Sequence, residues 1–114
     1  MVVNIVGRHM DLADEDKLHA EEEARKLGKF FNGVNDIQVT FEREGNAVKS
    51  EIICMVSGGR TLVANERGET VHQSLEFASE NMARQIKRYK GKLHRRRAGR
   101  EAPEEPTADE AEST

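Results

Sequence analysis

The sequence predicts an α+β fold of element order β-α-β-β-β-α, a four-stranded sheet with two helices packed on one face. Three observations predict it. A β-branched run at the N-terminus closes on a glycine. The apolar period changes from helical to alternating at Val34. An apolar stripe then returns to helical spacing from Val71 to Leu93. With 114 residues the chain supports one domain, read as a folded body over 1–98 and a disordered acidic tail or linker over 99–114.

VVNIVG at 2–7 reads as the first strand, ending at Gly7. The acidic stretch DLADED opens a helix-length segment that runs to Phe31. Asp14, Glu15 and Asp16 crowd its first turn, where negative charge suits the macrodipole. Ala13, Ala20, Ala24, Leu27 and Phe31 fall on one face, and Gly33 ends the element. From Val34, the apolar Ile37, Val39 and Phe41 alternate with Gln38, Thr40 and Glu42, the mark of a half-buried strand. The Gly45-Asn46 turn leads into KSEIICMVS at 49–57, with apolar residues on both faces, and Gly58-Gly59 turns into RTLVANE at 60–66. These three strands read as an antiparallel meander.

TVHQ at 70–73 has the form of a capping box, with Thr70 capping the helix start and Gln73 reaching back. Behind it Val71, Leu75, Ala78, Met82, Ile86, Tyr89 and Leu93 recur in steps of four and three. The stripe predicts a helix from about 71 to 95, with its last turns weakened at Gly91 by about 1 kcal/mol relative to alanine.

Composition excludes several classes. No apolar run reaches the length of a membrane span, and MVVNIVGRHMD is too short and too soon interrupted for a secretory signal. Cys54 is the one cysteine, set in the strand-like IICMV, and is expected to be a small buried residue in a reducing cytoplasm. His9, His19, His72 and His94 share no metal-ligand spacing and no triad neighbour, so the sequence predicts no metal, no cofactor and no catalysis. Glu21-Glu22-Glu23 points to different sides of a helix and reads as a solvated surface. Gly7, Gly58 and Gly59 read as turn residues, because no phosphate-binding loop ending in Lys-Ser/Thr is present.

The charge is unevenly placed. The net charge is −3, yet residues 101–114 hold six carboxylates and no cation, which leaves 18 basic groups against 15 of the 21 acidic ones. Half of the basic groups lie in ARQIKRYKGKLHRRRAGR at 83–100, where no acidic residue interrupts them. Macrodipole compensation accounts for Arg95 to Arg97 near the helix end, but acts only within the last turn. It leaves Arg84 to Lys92 unexplained, and of these only Arg84 has an acid, Glu80, four residues upstream. With the Leu75 stripe buried, Arg84, Arg88 and Arg95 point away from the core and Lys87 and Lys92 lie on opposite flanks. Lys90 and Arg97 fall nearer the core edge, where they can snorkel. Such a half-cylinder suits a polyanion. Structured RNA is favoured over lipid, since the apolar stripe is used by the core. Phe30, Phe31, Phe41 and Phe77 read as structural, so recognition is expected through phosphates and shape rather than base stacking.

GRH at 7–9, KLGKFF at 26–31, VTFERE at 39–44, LVANERGETVHQSLEFA at 62–78 and above all RQIKRYKGKL at 84–93 resemble the bacterial hibernation-promoting factor and ribosome-associated inhibitor A family. The resemblance covers residues 1–95 in order. It implies a protein that binds the decoding region of the small ribosomal subunit and its ribosomal RNA in non-growing cells, blocking translation by occupying the messenger and transfer-RNA sites. It implies no small-molecule substrate, no membrane partner and a monomeric isolated domain. Carried over by position, the RNA contacts are Arg84, Lys87, Arg88, Lys90 and Lys92, continued by Arg95 and Arg96, with Arg8 and His9 as a second set. Ala13 and Asp16 depart from the family pattern, and Thr70 stands in for a frequent Asp while keeping its capping role. Longer members follow such a linker with a second domain that pairs ribosomes. Two readings stay open: a short member with an acidic tail, or the N-terminal piece of a long one that lacks the dimerisation domain. The charge layout alone also fits a stand-alone double-stranded RNA-binding module, or a regulatory partner of a transcription factor that meets an acidic protein.

Overall fold

The computed structural model describes residues 1–30 and 33–98, with the side chains of all of these except Phe30 and residues 93–98. The elements are β1 (Val2–Arg8), α1 (Asp14–Phe30), β2 (Val34–Glu44), β3 (Ala47–Val56), β4 (Arg60–Gly68) and α2 (Val71–Ala98). The sheet order is β1-β2-β3-β4, with β1 parallel to β2 and the rest antiparallel. The parallel pair follows from α1, because a helix between two neighbouring strands carries the chain back to its starting end. β1, β2 and β4 therefore run the same way, and α1 and α2 both start from the end of the sheet where β1 and β4 finish.

Alternation places Ile37, Val39 and Phe41 of β2, Val48, Ile52, Cys54 and Val56 of β3, and Leu62 and Ala64 of β4 under the helices. Ala20, Ala24 and Leu27 of α1 and Leu75, Ala78, Met82 and Ile86 of α2 close the core from above. Each large apolar side chain removed from water in this way contributes about 1.5–3 kcal/mol. Gly45 (φ 61°), Gly58 (φ 96°) and Gly59 (φ 79°) supply the left-handed residues of the two hairpin turns.

Several boundaries differ from the sequence reading. β1 continues through Arg8, because pairing with β2 extends to Arg8↔Glu42. Ala13 is exposed and precedes α1 rather than joining its buried face; its carbonyl accepts from the amides of Asp16 and Lys17 and so starts the helix. The α1 segment ends at Phe30, and Phe31 lies outside the described residues. The capping box is shifted by one residue. The Gln73 amide donates to Thr70 Oγ1 at 3.0 Å as expected, but Gln73 Oε1 accepts from the Glu69 amide at 2.7 Å rather than from Thr70. α2 passes through Gly91 and remains helical to Ala98, three residues beyond the expected end. The tail assigned to 99–114 lies outside the described residues.

Candidate nucleic-acid interface

α2 is held on the sheet from Ser74 to Tyr89, which fixes the direction of its opposite side. Near its start, Ser74 Oγ meets Ser50 Oγ of β3 at 2.6 Å. In the middle, Asn81 Nδ2 donates to Glu66 Oε2 and Gln85 Nε2 donates to the Val63 carbonyl, both at 2.8 Å, tying the helix to β4. Further on, the Tyr89 hydroxyl donates to the Ser57 carbonyl at 2.9 Å. Helical geometry then sets the cations: Arg84 lies on the crest, Lys87 and Lys90 on the α1 side, and Arg88 and Lys92 on the β4 side.

Arg84, Lys87 and Lys90 are exposed, while Arg88 and Lys92 are half-buried. Lys90 shares the helix azimuth of buried Ser79 and half-buried Ala83, so its exposed side chain leaves from near the core edge, as a snorkelling lysine does. The Ala83–Lys90 flank forms a shallow groove lined by Ala83, Arg84, Lys87 and Lys90. Among the described residues the ion pairs are Glu23–Lys26, Glu44–Lys49, Glu44–Arg67 and His72–Glu76, so none engages Arg84, Lys87, Arg88 or Lys92. Glu80, four residues before Arg84, leaves that guanidinium unpaired as well. The helix backbone reaches Arg95 and Arg96, whose side chains lie outside the described residues.

Arg8 and His9 are not brought to this surface. Arg8 heads a cross-strand row through Glu42, Lys49 and Arg67, at the end of the sheet where α2 begins. Tyr89 and the cationic half of α2 sit at the other end, beside the β3–β4 turn. Two of its cations are compensated from beside the row: Glu44 Oε1 accepts from Arg67 Nε and Nη2, each at 2.8 Å, and Glu44 Oε2 lies 3.9 Å from Lys49 Nζ. His9 is exposed in the left-handed region at φ 60°, one of the few residue types that visits it, and turns the chain out of β1.

Three features lay outside the sequence reading. Arg25 and Lys29 of α1 are exposed and enter none of these ion pairs, adding cations to the helical side of the domain. Lys26 is paired with Glu23 at 2.9 Å, and that hydrogen bond raises its pKa. His19 and His72 stack across the α1–α2 interface with ring centroids 4.5 Å apart, a contact between elements that neither local spacing could announce. Phe77 is 42% exposed, on the outer side of α2, and is not a core residue. Phe41 is fully buried, and the side chains of Phe30 and Phe31 lie outside the described residues.

A four-stranded mixed sheet backing two helices, the second with a cationic outer side, defines an α+β binding module of order β-α-β-β-β-α. The chain belongs to the family described as Sigma 54 modulation protein / S30EA ribosomal protein, which matches residues 3–94. This is a family of ribosome hibernation factors that are not enzymes. A ribosome hibernation promoting factor of Azotobacter vinelandii is 28% identical over 106 residues, covering 93% of this chain and 98% of its own. A ribosome hibernation promotion factor of Rhizobium meliloti is 29% identical over 94 residues, covering 82% of this chain, which spans only 50% of that relative. In fold, a ribosomal subunit interface protein from Coxiella burnetii matches with a TM-score of 0.74 at 13% identity, over 80% of this chain and 99% of its own. The N-terminal domain of Thermus thermophilus Protein Y matches with a TM-score of 0.69 at 20% identity, over 78% and 99%. No helix among the described residues is long and apolar enough to cross a membrane.

Proposed function

We propose that this chain is a ribosome hibernation factor that seats the outward side of α2 on folded RNA in the decoding region of the small ribosomal subunit. Occupying that space excludes messenger and transfer RNA, so inhibition needs no bond to be made or broken. The observation that carries the reading is the absence of carboxylate partners for Arg84, Lys87, Arg88 and Lys92 among the described residues. Like charges held in one strip repel each other, and a phosphate backbone relieves that repulsion while releasing its counterions. Arg84 contacts phosphate from the crest, Lys87 and Lys90 from one flank, and Arg88 and Lys92 from the other. Arg95 and Arg96 continue the strip toward the end of α2. Arg8 and His9, at the far end of the sheet, form a separate and weaker contact. Residues 1–98 act as the binding unit, and 99–114 as an acidic linker or tail.

Co-sedimentation of the chain with purified small subunits, intact ribosomes and free duplex RNA tests this. Wild type is expected in the small-subunit and ribosome pellets, and the folded triple variant R84E/K87E/R88E in the supernatant. Retained binding by the triple variant overturns the reading. Equal affinity for free duplex RNA assigns a general double-stranded RNA module instead. Failure to bind any RNA, with capture of an acidic transcription factor, assigns the regulatory partner.

A further inference from the structure

The turn between β3 and β4 is tied to α2 by one side chain. Tyr89, half-buried at the edge of the core stripe, donates its hydroxyl to the Ser57 carbonyl at 2.9 Å. Ser57 is anchored from the other side, its amide donating to the Gly33 carbonyl at 2.7 Å and its Oγ to the same carbonyl at 3.2 Å. Gly58 and Gly59 follow at φ 96° and 79°, and a Cβ on Gly58 would lie 3.3 Å from the Tyr89 hydroxyl. The next residue is Arg60. Its guanidinium carbon stands 5.7 Å from the centroid of the Tyr89 ring, within the range of a cation–π contact. Arg60 is exposed and enters no ion pair with the described carboxylates.

This arrangement does more than close a hairpin. A guanidinium resting on an aromatic face keeps its N–H edges free, and those edges match phosphate oxygens two at a time. Arg60 lies on the β4 side of α2, the side that carries Arg88 and Lys92, but it comes from the sheet and so stands off the helix axis. Cations on a single helix, crest and flanks together, stay within a side chain's reach of one axis. Folded RNA presents phosphates on two strands, and a cation displaced from the helix can meet the second.

We propose that the tip of the β3–β4 hairpin is a second element of the RNA-binding surface. Arg60 supplies a phosphate contact, and Tyr89 is the positioning residue that fixes Arg60 beside the helix. This inference rests on the reading of α2 as the RNA face and adds an off-axis contact to it.

The test measures affinity of the full chain for purified small subunits across a salt series, for wild type, R60A, Y89L, the R60A/Y89L double variant and R84E/K87E/R88E. R60A removes an exposed side chain, so its thermal midpoint should match wild type. Its affinity is expected to fall about tenfold, as for loss of one charge-assisted phosphate contact, and its salt slope to drop by about one. Adding R60A to Y89L should cost little beyond Y89L itself, because the two act as a unit. Y89F keeps the ring without the tie to Ser57, and is expected to show a partial loss of affinity should Y89L not fold. R60A binding as wild type at every salt, with the triple variant inactive, overturns the hairpin contact and leaves the α2 reading standing. Weaker binding by R60A at an unchanged salt slope also overturns it, since the lost contact is then not ionic. Undiminished binding by the triple variant removes both.

Discussion

The hydroxyls of Ser50 in β3 and Ser74 in α2 lie 2.6 Å apart, and neither residue is exposed to solvent at all. Ser74 also donates to the Val71 carbonyl at 3.1 Å. Its single hydrogen is then spent inside the first turn of α2, so Ser50 is the donor between the two. The pair is a polar clasp set into an apolar layer, and it registers the start of α2 on the middle of the sheet.

An asymmetry follows for the two alanine variants. Ser50→Ala leaves the Ser74 hydroxyl satisfied through Val71 and should cost about 0.5–1.5 kcal/mol. Ser74→Ala strands the Ser50 hydroxyl in a dry site and should cost about 1–3 kcal/mol. Urea unfolding of both variants and of the double variant checks this, with the double expected to be less damaging than the sum. A larger loss for S50A than for S74A would reverse the assigned donor.

Gly68 controls the same junction from the sheet. A Cβ there would lie 2.6 Å from the Ser74 amide nitrogen and 3.0 Å from the Gln73 carbonyl carbon and the Ser74 Cα, all of them backbone atoms. Backbone has no rotamer to give, so G68A should displace the start of α2 and cost about 1–3 kcal/mol. G45A is the control: nothing lies within 4 Å of its Cβ, and only the left-handed φ of 61° opposes it. Thermal midpoints should place G68A well below G45A, and a similar loss in the two would mean that β4 and α2 do not approach this closely.

Cys54 provides a pH-dependent readout. It is completely buried, and burial pushes its thiol up to about 12 from the ordinary 9.0. Below about 9 both folded and unfolded chains keep the proton, and its contribution to stability is complete. Above that value the unfolded chain ionises first, so stability falls as pH climbs toward about 12. Native protein should resist iodoacetamide at about pH 8 and react as fast as urea opens it. Wild type should also lose more stability than C54A between about pH 8 and about pH 10.5. Rapid labelling of the native protein would contradict the burial.

The features legible in the sequence were those with a local period. Leu75, Ala78, Met82 and Ile86 form a helical series, and Ile37, Val39 and Phe41 an alternating one; all seven are buried. Phe77 was legible too, since it stands two residues, about 200° of helix, past Leu75 and so opposite the stripe, but its residue type argued for the core. The features that escaped need two elements to be placed together. His19 meets His72 only because α1 and α2 leave the same end of the sheet. Tyr89 continues the core stripe, yet its hydroxyl and ring serve a hairpin whose Ser57 lies 32 residues earlier in sequence. Arg8 belongs to a second set of contacts in the sequence, and only strand register shows how far it stands from the α2 strip. It lies at the end of the sheet where α2 begins, whereas Tyr89 of α2 reaches the opposite end.

Salt separates these two cationic regions. With about four of the α2 cations each neutralising a phosphate at any one time, affinity for small subunits should fall roughly a hundredfold between about 50 and about 200 mM salt. Charge removal at one of these positions should lower the slope of log affinity against log salt by about one, because each occupied phosphate releases its own counterion. R8A should lower it by less, since Arg8 lies in a row where Glu44 already compensates Lys49 and Arg67. Filter-binding or sedimentation titrations at four or more salt concentrations measure both slopes. A slope near zero for wild type would mean that binding is not carried by phosphate contacts. A larger change for R8A than for R84A would move the principal contact to the opposite end of the sheet.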